Sequence, residues 1–281
     1  MINYKNNDED YRIINRFKPV RFYNNSNDEL KNIGIFVDVE TTGSYSRGSK
    51  IIELALVPFE YTNDGKIYKI LKSYVEFQDP HVLIPESITK LTGITNEMVK
   101  GKSFDTKKIT DLVNSASVII AHHAGFDKKF IEDIFPIFRK KTWGCTVKHI
   151  NWRNENISSA KLEYLAYKYN VFYEAHRAEI DSLIGIHILA QKLPISGRYA
   201  LEVLLENINN IYYKIWAEDI PFHKKDILKD RGYRWNNGSN KKPKSWYKII
   251  ESKYKEDEIK FLYNNIYEKI IDLKIDKVET I

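Results

Sequence analysis

Apolar, β-rich runs follow one another between Ile33 and Phe77. They read IGIFVDVE, IIELALVPF and KIYKILKSYVEF, and they are rich in the β-branched and aromatic residues that favour strands. The polar stretches TTGSYSRGS and EYTNDG separate them, and Asp64-Gly65 in the second stretch is a strong hairpin signal. The pattern therefore predicts three consecutive antiparallel strands.

Apolar residues at helical spacing become dominant in the next part of the chain. The segments FDTKKITDLVNS and GFDKKFIEDIFPIF predict helices, with SVIIAHH as a buried strand between them. Ser158-Ser159 predicts the start of another helix, which packs through Leu162 and Leu165. The segment AEIDSLIGIHILAQKL is apolar on most sides, which indicates a central helix stopped by Pro194. This order of elements indicates an α/β fold with crossover connections.

Composition divides the chain into three parts. Residues 1–32 are polar and lack sustained periodicity, which indicates an extension lying on the surface. Residues 33–210 form the predicted α/β domain. In residues 211–281 Trp, Tyr and Lys become frequent, and YRW and WYKII predict strands on either side of the loop NNGSNKKPKS. We therefore expect a small, basic, aromatic-rich C-terminal module.

The composition of the whole chain indicates a soluble globular protein. Its 281 residues and 43% hydrophobic content suffice for a sizeable core. No apolar run approaches the roughly 18 residues of a membrane span, so we expect neither a membrane partner nor a signal segment. The single cysteine, Cys145, cannot form an internal disulfide, which fits a reducing, cytoplasmic compartment. Its apolar and aromatic sequence neighbours indicate an inert core thiol.

Positive charge is concentrated in one segment. The net charge is +6, yet Pro221–Tyr254 carries ten Lys and Arg against three acids, so the rest of the chain sums to −1. Such a segment fits a basic aromatic surface that contacts phosphates and stacks on bases. A solvated face, with Trp235 and Trp246 packed against each other across a hairpin, explains it equally. The residues concerned are Arg231, Arg234, Trp235, Lys241, Lys242, Lys244, Trp246 and Lys248.

Two carboxylates interrupt the first apolar run. In GIFVDVETTG, Asp38 and Glu40 project from the same side of the predicted strand because side chains alternate between its faces. Two desolvated anions side by side repel, so the pair favours a divalent cation, and oxygen ligands suit magnesium or manganese. The alternative is a strand that simply ends in the polar turn Thr41-Thr42-Gly43.

A third acid, a histidine and a fourth acid come later in the chain. Asp127 follows the strand SVIIAHH closely, at the carboxyl end where the active sites of α/β sheets collect. His176 and Asp181 lie in HRAEID. Positions five apart on one helix diverge by about 140°, so these two side chains converge only if His176 lies in the loop before the helix. An acid in the first helical turn also suits the helix dipole.

Three ordered motifs resemble those of the DEDDh 3′→5′ exonucleases, a family that includes the proofreading epsilon subunit of bacterial DNA polymerase III. They are DVETTG at 38–43, AHHAGFDKKF at 121–130 and HRAEID at 176–181. The segments LTGITNEMV, WGCTVKHI and KLEYLAYKYNV are similar to further family elements, so the resemblance covers residues 33–207. The spacing H-x-x-x-x-D matches the histidine branch of the superfamily. One departure is His123, where the family commonly has Asn.

The resemblance implies an RNase H-like exonuclease fold, with a mixed central sheet flanked by helices, and a site for two divalent ions, Mg²⁺ or Mn²⁺. Asp38, Glu40 and Asp181 would hold the first ion, Asp38 would bridge to the second, and Asp127 would contribute there. Four carboxylates carry a charge of about −4, which two divalent ions neutralise. His176 would be the general base that takes a proton from the attacking water.

The resemblance also implies contacts with the substrate. Thr41 and the neighbouring backbone would meet the terminal 3′ hydroxyl, and Phe36 or Leu91 would wedge against the last base. The candidate substrate contacts in the C-terminal module are Arg234, Trp235 and Trp246.

The function that the resemblance favours is a metal-dependent 3′→5′ exonuclease that releases 5′-nucleotides from single-stranded ends. DNA is favoured over RNA, in proofreading or repair, with a DNA polymerase as a candidate partner. An exoribonuclease that trims RNA ends is one alternative, and a catalytically inactive, nucleic-acid-binding accessory protein is another. The intact set of five motif residues argues against the inactive protein.

Overall fold

Two long strands, Asn32–Thr41 and Ile51–Tyr61, form the centre of the first of two compact units. The first unit extends to Ile208 and the second begins at Asn209. The structure is a computed structural model that describes residues 11–25, 29–44, 48–238 and 244–278. The strands of the first unit are β1 (Asn15–Arg16), β2 (Asn32–Thr41), β3 (Ile51–Tyr61), β4 (Ile67–Ile70), β5 (Tyr74–Phe77), β6 (Val118–Ala121), β7 (Trp143–Cys145) and β8 (Val171–Phe172).

The central sheet of the first unit is mixed. Its strand order is β4-β3-β2-β6-β7, and β5 pairs with another part of β3. Strand β3 is antiparallel to β2, β4 and β5, whereas β6 is parallel to both β2 and β7. The parallel connections contain helices, as crossovers require. The predicted α/β fold with a mixed central sheet is therefore confirmed.

The third predicted strand is divided into two. The run KIYKILKSYVEF contains both β4, which pairs with Phe59–Tyr61, and β5, which pairs with Glu53–Leu56. Pro58 lies between these two stretches of β3 and has no N–H to donate to a neighbouring strand. Its carbonyl accepts a hydrogen bond from the Leu71 N–H at 2.8 Å. The expectation of one uninterrupted third strand was wrong because a proline occupies the middle of its partner.

Helices cover both faces of the sheet. One apolar cluster contains α3 and α4 residues with Val37 and Val39 of β2, and the other contains α5, α6 and α7 residues with Phe36. Successive β2 side chains therefore enter opposite cores, as strand geometry requires. The helices are α1 (Glu86–Thr92), α2 (Asn96–Val99), α3 (Thr106–Ser115), α4 (Ala124–Ile134), α5 (Leu162–Lys168), α6 (Ala178–Leu189) and α7 (Ala200–Ile208).

Phe36 belongs to this core and not to a substrate surface. Its side chain is fully buried. Its ring lies so close to Gly185 of α6 that a Cβ atom there would come within 2.1 Å of Phe36 Cζ. The expectation that Phe36 wedges against a terminal base is therefore wrong, because the ring fills the space between β2 and α6.

Two helix ends differ from the sequence predictions. Helix α5 begins at Leu162 and not at Ser158-Ser159. The Ser158 hydroxyl is hydrogen-bonded to the Tyr164 hydroxyl at 2.8 Å, and the Ser159 hydroxyl accepts from the Lys161 N–H at 3.3 Å. Both serines therefore stabilise the turn before the helix. Helix α6 already ends at Leu189, so Pro194 lies beyond its end.

The N-terminal residues 11–25 cross the surface of the first unit, with one side chain inserted into its core. Strand β1 pairs with β8 in parallel. Phe17 is 7% exposed and belongs to the same apolar cluster as α6. The expected extension lying on the surface thus has one exception, Phe17, whose burial the sequence does not signal because charged residues, Arg16 and Lys18, flank it.

The second unit contains a four-stranded antiparallel sheet packed on helices. Its strand order is β10-β11-β9-β12. The predicted strands YRW and WYKII lie in β10 and β11, while Lys241 and Lys242 lie outside the described residues. The elements are β9 (Tyr212–Ala217), α8 (Lys225–Asp230), β10 (Arg234–Asn237), β11 (Lys244–Glu251), α9 (Lys255–Phe261), a π-helical turn (Leu262–Tyr267) and β12 (Ile275–Val278).

No helix in the described ranges has the length and apolar character needed to cross a bilayer.

Candidate active site

A cavity of about 680 Å³ lies beside the acidic end of β2. Strand β2 contributes Asp38 and Glu40, whose side chains share a face because they are two residues apart. The first turn of α4 contributes Asp127, and the first turn of α6 contributes Asp181. His176, from the loop before α6, completes the lining. The structure thus brings the five residues singled out in the three sequence motifs to one cavity.

Three of the carboxylates are close enough to share one ion. One oxygen atom from each of Asp38, Glu40 and Asp181 lies within 4.8 Å of the other two. Asp127 lines the same cavity but does not belong to this tight group. Carboxylate oxygens are the donors that hard divalent cations prefer, so the residues present fit Mg²⁺ or Mn²⁺.

The carboxyl groups of the cavity bind protons unusually tightly when no cation is present. Burial raises the pKa of Asp38 well above its usual range, and the charges of Asp127 and Asp181 raise it further. Burial, followed by the charge of Asp181, raises the pKa of Glu40 to about 8. Burial also raises the pKa of Asp127 to about 7. A divalent cation would favour the ionised form of each group, because it supplies the missing positive charge.

His176 lies in the loop that precedes α6, as its spacing from Asp181 predicted. Its backbone adopts the left-handed conformation with φ of 69°, which is strained for a residue other than glycine. The next residue, Arg177, donates its N–H to Asp181 Oδ2 at 2.9 Å. This hydrogen bond ties the backbone beside the histidine to a carboxylate of the acidic group.

Tyr173 contacts the acidic group, although no sequence motif pointed to it. Its hydroxyl donates to Asp181 Oδ1 at 2.8 Å, and its side chain lines the cavity. Both Asp181 oxygens are therefore oriented by hydrogen bonds, which partly offset the rise in the pKa of Asp181 that burial causes. The eight-residue separation of Tyr173 and Asp181 gave no periodic signal, because Tyr173 lies in the loop after β8 and Asp181 lies on α6.

The buried Glu53 forms an ion pair with the half-exposed Arg177 beside the cavity. Glu53 is 1% exposed and lies directly opposite Glu40 in the β2/β3 pair. Its carboxylate accepts from Arg177 Nη2 at 2.7 Å, from Arg177 Nε at 3.2 Å and from the Ala178 N–H at 3.0 Å. The sequence signal for this pair was the single acid in the apolar run IIELALV, since a buried carboxylate requires a partner.

The predicted substrate contacts have different surroundings. Thr41 is 7% exposed, and its hydroxyl donates to the Gly43 carbonyl at 2.6 Å. Leu91 is 51% exposed at the end of α1. Trp235 is 54% exposed on β10, and its ring meets Trp246 of β11 edge to face, with centroids 5.7 Å apart. The roles of these residues in substrate binding stay predictions.

His122 lines the cavity and is hydrogen-bonded within the fold, whereas Cys145 belongs to the apolar core. His122 Nδ1 is hydrogen-bonded to the Thr146 hydroxyl at 2.7 Å, and burial lowers the His122 pKa to about 4. Cys145 is 1% exposed, and burial raises the pKa of its thiol, so the thiolate is disfavoured. His123 immediately precedes α4 and lines the cavity.

Comparison with proteins of known sequence shows PolC-type relatives. The chain is 32% identical to the PolC-type DNA polymerase III of Clostridium perfringens over 154 residues, which are 52% of this chain and 10% of that protein. It is 29% identical to the PolC-type DNA polymerase III of Staphylococcus aureus over 192 residues, or 66% of this chain and 13% of that protein. The chain thus corresponds to about a tenth of the length of these polymerases.

Solved structures share the fold. A structure of exonuclease I aligns with a TM-score of 0.51 at 15% identity and covers 78% of this chain and 62% of its own. E. coli exonuclease I in complex with a dA16 oligonucleotide aligns with a TM-score of 0.50, also at 15% identity, and covers 78% of this chain and 63% of its own. At this identity the likeness shows the fold alone.

A family model assigns the chain by sequence. The RNase T model, described as exonuclease, matches residues 35–189, which is more than half of the chain. That range contains all three motifs and the cavity residues described above. The chain therefore belongs to the RNase T exonuclease family, within the DEDDh 3′→5′ exonuclease superfamily that its motifs resemble.

Proposed function

We propose that the chain hydrolyses single-stranded DNA from its 3′ end by a two-metal mechanism, with His176 as general base and 5′-nucleotides as products. The observation that carries this proposal is the meeting of Asp38, Glu40, Asp127, Asp181 and His176 in one cavity.

The residues that would hold the ions are the four carboxylates of the cavity. Asp38, Glu40 and Asp181 form the tight group, and Asp127 would serve a second ion together with Asp38. Two divalent ions in such a site stabilise the attacking and leaving oxygens of a phosphodiester.

The protein side chains supply orientation and proton transfer. His176 would accept the proton of the attacking water, and the strained backbone at this residue is held by the adjacent Arg177. Tyr173 and the Arg177 N–H each hold one oxygen of Asp181, so this carboxylate keeps one orientation during turnover. The apolar side chains of Phe126 and Val147 also line the cavity.

Single-stranded DNA is the substrate that the comparisons favour. One solved relative of the same fold, E. coli exonuclease I, was crystallised with a dA16 oligonucleotide, and the sequence relatives are DNA polymerases. We therefore propose a setting in proofreading or repair, with a DNA polymerase as partner and the reducing cytoplasm as location.

The second unit contributes a strand-binding surface on its β10–β11 hairpin in this proposal. Arg234 and Lys244 are exposed at the two ends of this strand pair, and Trp235 exposes half of its ring between them. Trp246 packs against the core of the unit, and the edge-to-face contact between the two rings holds Trp235 beside it. Exposed aromatic rings beside cations are the groups that stack on bases and contact phosphates.

The direct test compares two strands of the same sequence. A 5′-labelled single-stranded DNA and its RNA counterpart are incubated with Mg²⁺ or Mn²⁺, and products are resolved by length. We expect stepwise shortening of the DNA, a loss of about 10²–10⁴-fold in rate for His176→Ala, and an unchanged rate for the control His81→Ala. Faster shortening of RNA would replace DNA by RNA as substrate, and binding without any shortening would refute catalysis.

The surface on the second unit is tested with a long and a minimal substrate. The double variant Arg234→Ala/Trp235→Ala should raise KM for a long single strand about tenfold or more, because base stacking contributes about 1–3 kcal/mol. Hydrolysis of thymidine 5′-p-nitrophenyl phosphate, which contains a single nucleotide and no longer strand to stack or neutralise, should stay within twofold. An unchanged KM on the long strand would leave only the packing role of Trp235.

A further inference from the structure

Residues 11–25, called the N-terminal strap here, form backbone hydrogen bonds with two separate parts of the first unit. At one end the Asn15 N–H donates to the Asn170 carbonyl at 2.9 Å, and the Phe17 N–H donates to the Phe172 carbonyl at 2.8 Å. At the other end the Tyr23 N–H donates to the Tyr68 carbonyl of β4 at 2.8 Å. The strap therefore connects β8 with the edge of the central sheet.

The middle of the strap packs on the helix that carries Asp181. Phe17 is inserted into the core, and its ring centroid lies 5.2 Å from that of His187 on α6. The ring of Tyr23 lies on the same histidine, with centroids 6.0 Å apart. The strap thus holds α6 as well as β8.

Two arginines of the strap reach the residues on either side of β8. The Arg12 guanidinium donates to Asn170 Oδ1 at 2.8 and 3.0 Å and to the Lys168 carbonyl at 2.8 Å. Its guanidinium carbon also lies 4.4 Å from the ring centroid of Tyr167. Arg16 Nη1 contacts Glu174 Oε1 at 3.0 Å. Glu174 lies two residues before His176.

Strand β8 leads directly into the loop that carries the reactive groups. Tyr173, which follows it, holds Asp181 Oδ1, and the strained His176 comes three residues later. Arg177 anchors the downstream end of this loop through Glu53 and Asp181. Within the described part of the chain, β1 is the one strand that pairs with β8, so the upstream anchor is the strap.

We infer that the N-terminal strap, through Arg12 and Arg16, positions the loop of residues 173–176 so that Tyr173 and His176 face the acidic cavity. Arg12 and Arg16 are positioning residues, because they act through β8 and Glu174. The kinetic test of this inference rests on the proposed hydrolysis. A second test, which measures the dynamics of the loop, does not depend on that function. A displacement of about 1 Å at a reacting group can cost about 10²-fold in rate, so loose anchoring affects turnover more than folding.

The test compares two pairs of exposed cations within the strap. In the first variant, Arg12→Ala/Arg16→Ala, the contacts with Asn170, Lys168 and Glu174 are lost. The matched control, Lys18→Ala/Arg21→Ala, removes the same charge from the same segment. We expect kcat for thymidine 5′-p-nitrophenyl phosphate to fall about fivefold to tenfold in the first variant, with KM within twofold, and to stay within twofold in the control.

Hydrogen exchange measured by mass spectrometry keeps the inference separate from the proposed function. Backbone amides of residues 171–177 should exchange faster in Arg12→Ala/Arg16→Ala than in the control, whereas residues 86–99 should exchange at the same rate in both. Faster exchange supports the strap even if the protein hydrolyses no phosphodiester. Equal exchange of residues 171–177 in the two variants, or equal kcat with an active wild type, would overturn the inference.

A truncation adds a rescue experiment. A chain that begins at Lys18 lacks the strap's β1 residues, and a chain that begins at Tyr11 is its control. A peptide spanning residues 8–20, added in trans, should restore at least part of the kcat that the shorter chain loses. A shorter chain that remains folded with unchanged kcat would also overturn the inference, and if it does not fold the double variant decides.

Discussion

Two groups of buried acids in this molecule are neutralised in different ways. Glu40 and Glu53 lie opposite each other on β2 and β3, yet only Glu53 has a dedicated cation, Arg177. In the second unit, Glu258 likewise accepts from Arg231 Nε and Lys248 Nζ, both at 3.0 Å. Around the cavity, the charges of neighbouring carboxylates instead add to the effect of burial and raise the pKa of Asp38 and of Glu40 further.

The difference separates acids whose charge is balanced by a basic side chain from acids without such a partner. A buried carboxylate with its own arginine or lysine is satisfied in the ligand-free protein. A cluster without such partners is satisfied only by protons or by cations from solution. The cavity is therefore built at a cost to stability, which is typical of functional sites.

The largest effect is expected from Asp38→Asn, which removes the central charge of the cluster. Activity should fall by about 10⁴-fold, as for other essential groups that act as a unit. The melting temperature of the metal-free protein should rise, because a neutral Asn avoids the cost of burying Asp38, whose pKa is raised well above its usual range mainly by burial. The stabilisation by Mn²⁺ should become much smaller than in the wild type. The exposed control Asp111→Asn should leave all three quantities unchanged. A melting temperature of metal-free Asp38→Asn below that of the metal-free wild type would contradict this interpretation.

Glu53→Ala should have the opposite effect on stability. Its removal leaves the Arg177 guanidinium and the Ala178 N–H without their acceptor, so we expect a loss of about 2–3 kcal/mol in the free energy of unfolding. Urea unfolding measures this loss. The exposed ion pair between Glu86 and Lys90 is the control, and Glu86→Ala should cost less than about 0.5 kcal/mol. Equal losses for the two variants would mean that Arg177 is satisfied by solvent.

The pH dependence of stability follows from the raised pKa values. Glu40, with a pKa of about 8, and Asp127, with a pKa of about 7, hold protons in the folded state that they lose in the unfolded state. The metal-free protein should therefore lose several kcal/mol of stability as the pH rises from the unfolded pKa values near 4 to about 8, because each unit of raised pKa corresponds to about 1.4 kcal/mol. Saturating Mg²⁺ should abolish or reverse this slope, because the cation binds the ionised carboxylates. A slope that is identical with and without the cation would argue against a shared site.

The smallest effect is expected from Tyr173→Phe, which removes one hydrogen bond to Asp181 and keeps the ring. We expect kcat to fall about threefold to tenfold, corresponding to the modest net contribution of a single hydrogen bond to a charged group. Mn²⁺ should still raise the melting temperature. Tyr167→Phe, on α5, is the control for loss of a tyrosine hydroxyl. An unchanged kcat in Tyr173→Phe would show that the Arg177 N–H alone orients Asp181.

The sequence predicted the parts of the molecule that local spacing specifies. The alternation of side chains on a strand placed Asp38 and Glu40 on one face, and the five-residue spacing placed His176 in a loop before the helix of Asp181. The mixed sheet followed from the order of strands and helices. The same reasoning misassigned Phe36, because an aromatic residue in a strand gives no sign of which neighbour covers it.

Local pattern determined this protein's strands, its main helices and the acids at their ends, since backbone geometry repeats every two or 3.6 residues. Only the tertiary structure decided which acid receives a cation. Glu53 and Arg177 are 124 positions apart, and Arg16 and Glu174 are 158 apart, so neither contact has a periodicity that a sequence can display. The physical reason is that an ion pair forms only between groups that lie close together in space. The packing of α6 and the strap against the sheet determines these distances.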